Sequence, residues 1–276
     1  MTAMNPSDWL GRTETCIDSV DIGHIQKVAL SLGAQVPVAG GEVPLLWHWA
    51  LFVQGVPYDQ LGEDGHPRRG GFLPAADNRN RMWAGGRLEF MQPLRVGSQS
   101  RRMSTISAVR EKEGRTGKLL FVTVKHEYTQ NGAVCISEEQ DIVYREPSPP
   151  KLEGSVPMPQ AQWSETITPS PVMLFRYSAV TFNGHRIHYD EPYVTQKEGY
   201  PGLVVHGPMI ATLMCGAFVN ANPGKDVKSF SYRGLRPLIA PRPFQVAGSL
   251  AEDNSAQLWA GQDGTLAHQA ELRFKA

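Results

Sequence analysis

Hydrophobic and polar positions alternate along the stretch KLLFVTVKHEY, residues 118–128. Leu120, Val122 and Val124 fall on one face of an extended chain, and polar or aromatic residues fall on the other. A period of two places successive side chains on opposite faces of a β-strand. The pattern therefore predicts a strand with one buried face.

The same series of three strands is predicted near the end of each half of the chain. Each series closes with a two-residue turn, Asn131-Gly132 in the first half and Asp263-Gly264 in the second. Asn-Gly and Asp-Gly accept the positive φ angles of a type I′ turn, which makes them strong hairpin signals. The predicted strands cover residues 100–110, 118–128 and 133–145, and then 244–253, 256–262 and 265–275. Each half is therefore predicted to end in an antiparallel meander.

An apolar helix is predicted ahead of each meander. Within residues 207–224, Pro208 suits the first helical position, Gly207 the cap, and the apolar side chains surround the whole helix. Residues 43–55 have the same all-round apolar character behind Pro44. Two buried helices, each wrapped by an antiparallel sheet, predict an α+β fold of two hotdog units in tandem. The alternative is a pair of unrelated α+β halves.

A proline-rich stretch separates the two halves. Residues 146–160, EPSPPKLEGSVPMPQ, contain five prolines, which fix φ and remove backbone donors. Neither a helix nor a central strand can run through such a stretch. We therefore predict a first unit over residues 1–145, a linker over 146–160 and a second unit over 161–276.

Composition and charge restrict the class of protein. The 276 residues balance 27 Lys and Arg against 27 Asp and Glu, so no overall field favours nucleic acid or an anionic membrane. The N-terminus lacks the layout of a signal peptide, and no stretch has the ~20 apolar residues of a membrane span, so we expect a soluble, cytoplasmic protein. The cysteines are widely spaced and indicate neither a disulfide framework nor a zinc site. They are Cys16, Cys135 and Cys215.

Candidate chemistry is concentrated in FRYSAVTFNGHRIHYD, residues 175–190, and at the start of the second predicted helix. His188 can act as a general base near neutral pH, and Asn183 can orient a water molecule. The first N–H groups of a helix lack partners inside it, so the N–H of Gly207 can stabilise an oxyanion. These roles fit the addition of water next to a carbonyl group, or its removal, and they need no metal.

Structural roles compete with these assignments. Asn183-Gly184 is itself a turn signal, so His185 is expected to be an exposed turn residue. His188 could serve as a hydrogen-bonded structural histidine, and His206 as a helix-start residue bonded to a carbonyl oxygen. Asp190, followed by a proline two residues later, is expected to cap a helix or close a turn.

Two segments together resemble the hydratase signature of MaoC-like hotdog proteins. In this signature an Ile-His-x-Asp element precedes a His-Gly helix start, matched here by Ile187–Asp190 and by His206-Gly207. The segments TFNGHRIHYD and YPGLVVHGP resemble most specifically one branch of these proteins, the itaconyl-CoA hydratases and mesaconyl-C4-CoA hydratases. Proteins of this branch have two hotdog units in one chain, and only the second keeps the signature.

The resemblance implies a substrate and roles for several residues. It implies an acyl-CoA thioester as the substrate, with coenzyme A as part of it and no separate cofactor, His188 as the base and the Gly207 N–H as oxyanion donor. R-specific hydratases have an aspartate five residues before the signature histidine, where this chain has Asn183. The acid–base work would then fall on His188 alone, or on His188 with Asp190 or Glu191.

Arginines are the candidates for binding the anionic groups of such a substrate, because they pair with carboxylates and phosphates. Residues 62–87 form a predicted loop that is either a functional lid or a solvated segment. Its arginines are Arg68, Arg69, Arg79, Arg81 and Arg87. We select Arg81 from this loop, with Arg176, Arg186 and His206 near the signature, as substrate-binding residues.

The preferred function is a hydro-lyase that adds water to a short branched dicarboxylic enoyl-CoA. Itaconyl-CoA and mesaconyl-C4-CoA both give citramalyl-CoA on hydration. The alternatives are a 3-hydroxyacyl-thioester dehydratase, an acyl-CoA thioesterase and a noncatalytic acyl-thioester binding module. By analogy we also expect a homodimer, formed through edge strands of the sheets.

Overall fold

The computed structural model describes residues 6–76, 79–114 and 117–275, and within these ranges ten strands form one antiparallel sheet. The first half contains β1 (Thr13–Asp18), α1 (Ile22–Leu32), β2 (Asn80–Phe90), β3 (Ser100–Gly114), β4 (Gly117–Gln130) and β5 (Ala133–Arg145). The second half contains β6 (Trp163–Ile167), α2 (Pro171–Val180), α3 (Glu191–Gln196), α4 (Gly207–Ala221), β7 (Val227–Gly234), β8 (Phe244–Ala251), β9 (Ser255–Gln262) and β10 (Thr265–Phe274).

The strand order is β1-β3-β4-β5-β2-β7-β10-β9-β8-β6, which repeats the same arrangement on both sides of the β2–β7 pair. In each half, the strand before the meander lies beside the last strand of that meander. The two halves meet where β2 pairs with β7, from Gly85 opposite Arg233 to Glu89 opposite Ser229. The predicted tandem hotdog fold is confirmed.

Both predicted meanders are present, and both have the expected turns. Strands β3, β4 and β5 pair in succession, as do β8, β9 and β10. Asn131 and Gly132 have φ angles of 52° and 79°, and Asp263 and Gly264 have 55° and 71°. Positive φ at both central residues is the geometry for which Asn-Gly and Asp-Gly are suited.

The predicted buried helix of the second half is also confirmed. Helix α4 starts at Gly207, and His206 rather than Gly207 is its N-cap. Pro208 occupies the first turn, where its missing N–H removes no helical hydrogen bond. The sheet of the second half covers the helix, and the residues buried on it are Met209, Ile210, Ala211, Thr212, Met214, Cys215, Ala217 and Phe218.

The prediction of a comparable helix over residues 43–55 is wrong. The segment forms only a short 3-10 helix, Trp47–Ala50, flanked by Leu46 and Phe52, whose φ angles are 68° and 56°. Two left-handed residues interrupt an α-helix on both sides, although most apolar side chains of the segment are buried or partly buried. The 3-10 helix brings the side chains of His48 and Trp49 onto the buried carboxylate of Glu138.

Residues 146–162 contain no strand or helix beyond an isolated bridge between Pro157 and Thr265. Strand β5 therefore ends and β6 begins on either side of the proline-rich stretch. No helix in the described ranges combines the length and the apolar character needed to cross a membrane.

Candidate active site

A cleft of about 2010 Å³ is lined by residues of both halves. The first half contributes the segment from Gly62 to Leu73 and residues of β2, β4 and β5. The second half contributes the turn before α3, the start of α4 and residues of β7. The second-half residues include Asn183, His185, His188, Gly207 and Pro208.

His188 is held in one orientation at the wall of this cleft. It ends the 3-10 helix Arg186–His188, and its Nδ1 donates to the carbonyl oxygen of Val204 at 2.7 Å. Because a carbonyl oxygen only accepts, Nδ1 carries the hydrogen and Nε2 is left with a free electron pair. Val204 also donates its N–H to the carbonyl oxygen of Ile187 at 2.9 Å. Val204 therefore fixes both the ring of His188 and the backbone just before it.

The electrostatics of His188 keep its ring neutral. The ring is almost completely buried, and burial lowers its pKa to about 4. The imidazole is therefore neutral near pH 7 and able to accept a proton at Nε2. His188, which the sequence predicted as a site residue, lines the cleft.

His206 lies behind His188 and outside the cleft lining. The two rings are stacked, with centroids 3.6 Å apart and planes inclined by 17°. Nε2 of His206 is 2.8 Å from the hydroxyl of Ser178, rather than bonded to a carbonyl oxygen as the structural alternative expected. Burial lowers the pKa of His206 well below its ordinary value. The selection of His206 as a substrate-binding residue is thus not supported, because His188 stands between it and the cleft.

The start of α4 opens onto the cleft at Gly207. The first helical bond to the cap runs from the N–H of Ile210 to the carbonyl oxygen of His206, so the Gly207 N–H has no helical acceptor. A β-carbon at position 207 would lie 2.9 Å from Cε3 of Trp83, whose ring stacks on Tyr232. Glycine therefore allows the indole to pack on the backbone beside an N–H that carries the positive end of the helix dipole.

Asn183 lines the cleft, but its side chain also closes the turn. Its Oδ1 accepts the N–H of His185 at 3.0 Å, and its own N–H donates to the carbonyl oxygen of Ser178 at 2.8 Å. The carboxamide oxygen is therefore committed to the backbone, and its nitrogen is the atom left to contact a water molecule.

His185 is not the exposed turn residue that the sequence suggested. It is partly buried, it lines the cleft, and its ring lies edge-on to His188 with centroids 5.5 Å apart. On its other side the ring of His66 lies at 4.1 Å. Burial, followed by the charges of neighbouring histidines, lowers the pKa of His185 to about 2.

A segment of the first half is docked onto this turn. The carbonyl oxygen of Asp64 accepts the N–H of Arg186 at 2.9 Å, and that of Glu63 accepts the Arg186 guanidinium at 3.1 Å. Gly65 has a φ of 85°, and a β-carbon there would overlap the carbonyl oxygen of Gly184. Two glycines thus permit direct contact between backbones that are ~120 residues apart in sequence.

The selection of Arg186 as a substrate-binding residue is corrected by its contacts. Arg186 donates to Asp190 at 2.9 Å from Nε and lies 4.0 Å over the ring of Tyr193. Asp190 also accepts the N–H of Tyr193 as the N-cap of α3. Neither side chain lines the cleft, and Glu191 and Arg176 are exposed outside it. Asp190 therefore has the expected capping role. Arg176 and Arg186 are not supported as substrate ligands.

The predicted loop over residues 62–87 is part loop and part strand. Arg81 and Arg87 belong to β2, and residues 77 and 78 lie outside the described ranges. Arg81 lines the cleft and forms no ion pair within the described ranges, and burial lowers its pKa. Arg79 instead pairs with Glu111 at 3.6 Å, and Arg87 with Asp141 at 3.1 Å.

Sequence reasoning did not select Asp64, His66 or Trp83 as site residues. Asp64 and His66 are separated by one glycine in the predicted loop, which was the only local signal for them. Their contact with His185, and that of Trp83 with Gly207, arises from the packing of the two halves. Such contacts have no fixed spacing in a sequence.

A family model described as "Hydroxyacyl-thioester dehydratase type 2" matches residues 46–240. The chain is 41% identical to a mesaconyl-C(4)-CoA hydratase of Chloroflexus aurantiacus, over 96% of each chain. It is 29% identical to a mitochondrial hydroxyacyl-thioester dehydratase type 2 of Schizosaccharomyces pombe, over 88% of this chain and 90% of that protein. A MaoC-like dehydratase from Phytophthora capsici shares the fold, with a TM-score of 0.73 and 15% identity over 99% of both chains.

Proposed function

The chain belongs to the hydroxyacyl-thioester dehydratase type 2 family of hydro-lyases, and on this premise we propose that it adds water to a dicarboxylic enoyl-CoA thioester. The observation that carries the proposal is the presence of a fixed base and an oxyanion donor at one wall of the cleft. The base is Nε2 of His188, and the donor is the N–H of Gly207.

Hydration proceeds in two steps with these groups. His188 takes a proton from water as the water oxygen bonds to the β-carbon, and the electrons of the double bond move to the thioester oxygen. The Gly207 N–H and the dipole of α4 stabilise the negative charge on that oxygen. The α-carbon then takes the proton back from His188, the carbonyl group re-forms, and the net change is the addition of one water molecule. The Asn183 carboxamide nitrogen is placed to orient the water.

We propose mesaconyl-C4-CoA as the substrate and citramalyl-CoA as the product. The name of the relative that is 41% identical over almost the whole chain supports this choice. Itaconyl-CoA would give the same product, but its double bond is not conjugated with the thioester carbonyl, so charge cannot move directly to the oxyanion site. Arg81, a cation in the cleft with no ion pair in the described ranges, is the candidate partner for the acyl carboxylate.

Dehydration of a 3-hydroxyacyl thioester is the second candidate, because the family description and the Schizosaccharomyces pombe relative carry that activity in their names. Dehydration is the reverse of the hydration described above and uses the same base and the same oxyanion donor. A thioesterase of the carboxylate-dependent kind is not favoured, since the first turn of α4 contains no acidic residue.

The test mixes the purified protein with mesaconyl-C4-CoA, itaconyl-CoA, crotonyl-CoA and a saturated acyl-CoA, and identifies the products by mass. A gain of one water with mesaconyl-C4-CoA supports the proposal, and release of free coenzyme A in its place refutes it. The His188→Gln variant should lose about 1000-fold in kcat. A folded variant with full activity would remove His188 from the mechanism.

A further inference from the structure

Three polar side chains form a cluster beside the proposed base. Asp64, His66 and His185 each bring one nitrogen or oxygen atom to within 4.8 Å of the others. Oδ2 of Asp64 lies 3.1 Å from Nδ1 of His66, and the rings of His66 and His185 are 4.1 Å apart. All three residues line the cleft, and the proposed mechanism uses none of them.

The cluster is held together by contacts between the two halves. The Asp64 carboxylate also accepts the N–H of His66 at 3.0 Å, which fixes the turn that carries both side chains. The same turn is docked on Arg186, whose backbone N–H and guanidinium donate to the carbonyl oxygens of Asp64 and Glu63, and on Gly184 through the close contact with Gly65. The side chains of the cluster are therefore positioned before any ligand arrives, which reduces the entropy cost of binding.

The charges around the cluster favour an anion. The pKa of His66 is lowered, first by burial and then by the positive charges of Arg81 and Arg69, against the effect of Asp64. The pKa of His185 is lowered by burial and by His66, His188 and Arg81. One carboxylate thus faces the positive charges of two arginines, so a second carboxylate would be stabilised by the charge that is left unbalanced.

The distance from the base suits a carboxylate on the carbon that is attacked. In mesaconyl-C4-CoA this carbon carries the free carboxylate, a methyl group and the double bond. Water held about 3 Å from His188 places the carbon roughly 3 Å further on, with the carboxylate attached to it. The His185 ring lines the cleft with its centroid 5.5 Å from that of His188, which is within that distance, and the ring of His66 lies 4.1 Å from His185.

We propose that Arg81, His185 and His66 form the recognition site for the free carboxylate of the acyl group. This inference rests on the proposed function and adds the residues that select its substrate. Arg81 supplies the permanent charge, and His185 supplies a ring N–H. Asp64 positions His66 and balances its charge, so it is a positioning residue rather than a ligand.

A proton should accompany the carboxylate into the site. Nδ1 of His66 faces the Asp64 carboxylate and therefore carries a hydrogen, which leaves an electron pair on Nε2 of the neutral ring. An electron pair repels a carboxylate, so His66 can bind the ligand only after Nε2 takes up a proton. The charged and titratable groups facing this ring are Asp64, His185, His188, Arg69 and Arg81.

The test uses two substrates that differ by one group, mesaconyl-C4-CoA and 3-methylcrotonyl-CoA, in which a methyl group replaces the carboxylate. For His66→Gln and for Arg81→Gln, kcat/KM with mesaconyl-C4-CoA should fall about 100-fold, and that with 3-methylcrotonyl-CoA less than about threefold. Arg81→Lys should recover part of the loss. Arg95→Gln, which removes an exposed pair with Glu42 outside the cleft, is the matched control. Equal losses with both substrates overturn the proposal.

Binding provides a second readout that does not depend on turnover. Wild-type protein should bind 2-methylsuccinyl-C4-CoA more tightly than isovaleryl-CoA, and His66→Gln should lose that preference. Calorimetry in buffers of different ionisation enthalpy should show proton uptake with the dicarboxylic ligand, absent in His66→Gln. Identical binding of both ligands by the wild type overturns the proposal. Should the wild type hydrate neither substrate, the proposed function fails and the binding experiment still decides the carboxylate site.

A divalent metal ion is the competing occupant of the same atoms. The preference for the carboxylate should survive treatment with EDTA and stay unchanged on addition of Zn²⁺ or Mn²⁺. Loss of the preference with EDTA, and its recovery with either ion, would show that the cluster binds a metal and overturn direct recognition by the side chains.

Discussion

His188 lies flat on His206, with ring centroids 3.6 Å apart and planes only 17° from parallel. Such stacking disfavours a charge on both rings at once, because two adjacent imidazolium ions would repel each other. Burial lowers the pKa of both rings, which keeps the pair neutral. His206 therefore contributes a flat support that fixes the plane of the proposed base, while Val204 fixes its rotation.

Removal of that support should affect stability and turnover together. His206→Ala leaves a cavity under His188 and deprives the Ser178 hydroxyl of its partner, so we expect the free energy of unfolding to fall by about 2 kcal/mol. We expect kcat to fall about tenfold because the base loses its fixed orientation. His206→Phe retains a flat ring and should recover kcat more than stability. Denaturant titration and steady-state kinetics measure both, and an unchanged kcat in His206→Ala would contradict the support role.

Substitution of Gly207 should be costly for a steric reason. In Gly207→Ala the new methyl group would lie 2.9 Å from Cε3 and 3.2 Å from Cζ3 of Trp83, so the indole or the start of α4 must shift. A displaced oxyanion donor costs about 100-fold in kcat. Trp83→Leu combined with Gly207→Ala should relieve the clash and recover stability.

The same helix offers a matched control for this prediction. A β-carbon on Gly216 meets no atom within 4 Å, so Gly216→Ala should stabilise the protein by up to about 1 kcal/mol and leave kcat unchanged. Similar kinetics for Gly207→Ala and Gly216→Ala would show that the packing of Trp83 does not require glycine at position 207.

The sequence predicted the elements whose signals are local. Asn131-Gly132 and Asp263-Gly264 define both hairpins, because their φ preferences do not depend on distant residues. The failed helix over residues 43–55 had an equally apolar sequence. The 3-10 conformation of this segment accompanies buried polar contacts of His48 and Trp49 with Glu138, which is about 90 residues away in sequence. A local sequence pattern does not reveal a contact with so distant a residue.

Within the site, the sequence placed His188 and Gly207 in the cleft and misjudged most of their surroundings. His185 looked exposed because Asn183-Gly184 is a turn signal, whereas a segment of the first half covers that turn. The contact between this first-half segment and the turn depends on the pairing of β2 with β7, which brings the two halves together. Spacing in the second half alone therefore could not reveal Asp64 and His66.

Buried histidines should make the protein less stable in mild acid. The pKa of His188 is about 4 in the folded protein against an ordinary value near 6.5, and the pKa values of His126 and His268 are also lowered to about 4 by burial. Between these values the unfolded chain binds protons that the folded chain does not, so stability rises with pH from about 4 to about 6.5.

The contribution of His188 to this pH dependence of stability can be measured. Near pH 5, His188→Gln should reduce the slope of unfolding free energy against pH by about 1 kcal/mol per pH unit, which corresponds to one proton. Thr195→Ser adds no titrating group and should keep the wild-type slope. Denaturant titrations at several pH values provide the measurement, and an unchanged slope in His188→Gln would show that the ring is not buried in its neutral form.

The Glu138 carboxylate should contribute more to stability than any surface ion pair. It is completely buried and accepts hydrogen bonds from His48, Trp49, Tyr128 and Gln140. Burial acts to raise its pKa, but the hydrogen bonds from His48 and Gln140, together with the electrostatic effect of His48 and His126, outweigh burial and lower the pKa to about 2. This contribution is therefore present above the ordinary carboxyl pKa and is lost as pH falls towards 2.

Glu138→Gln replaces one acceptor oxygen with a donor group that faces other donors. We expect a loss of about 3 kcal/mol at pH 7, because at least one buried donor is left without an acceptor. Glu271→Gln, which removes a partly exposed pair with Arg273, should cost less than about 1 kcal/mol. Chemical denaturation of the two variants at pH 7 measures the difference. A loss in Glu138→Gln no larger than that in Glu271→Gln would mean that the buried donors find other acceptors, and that the 3-10 helix Trp47–Ala50 does not depend on this carboxylate.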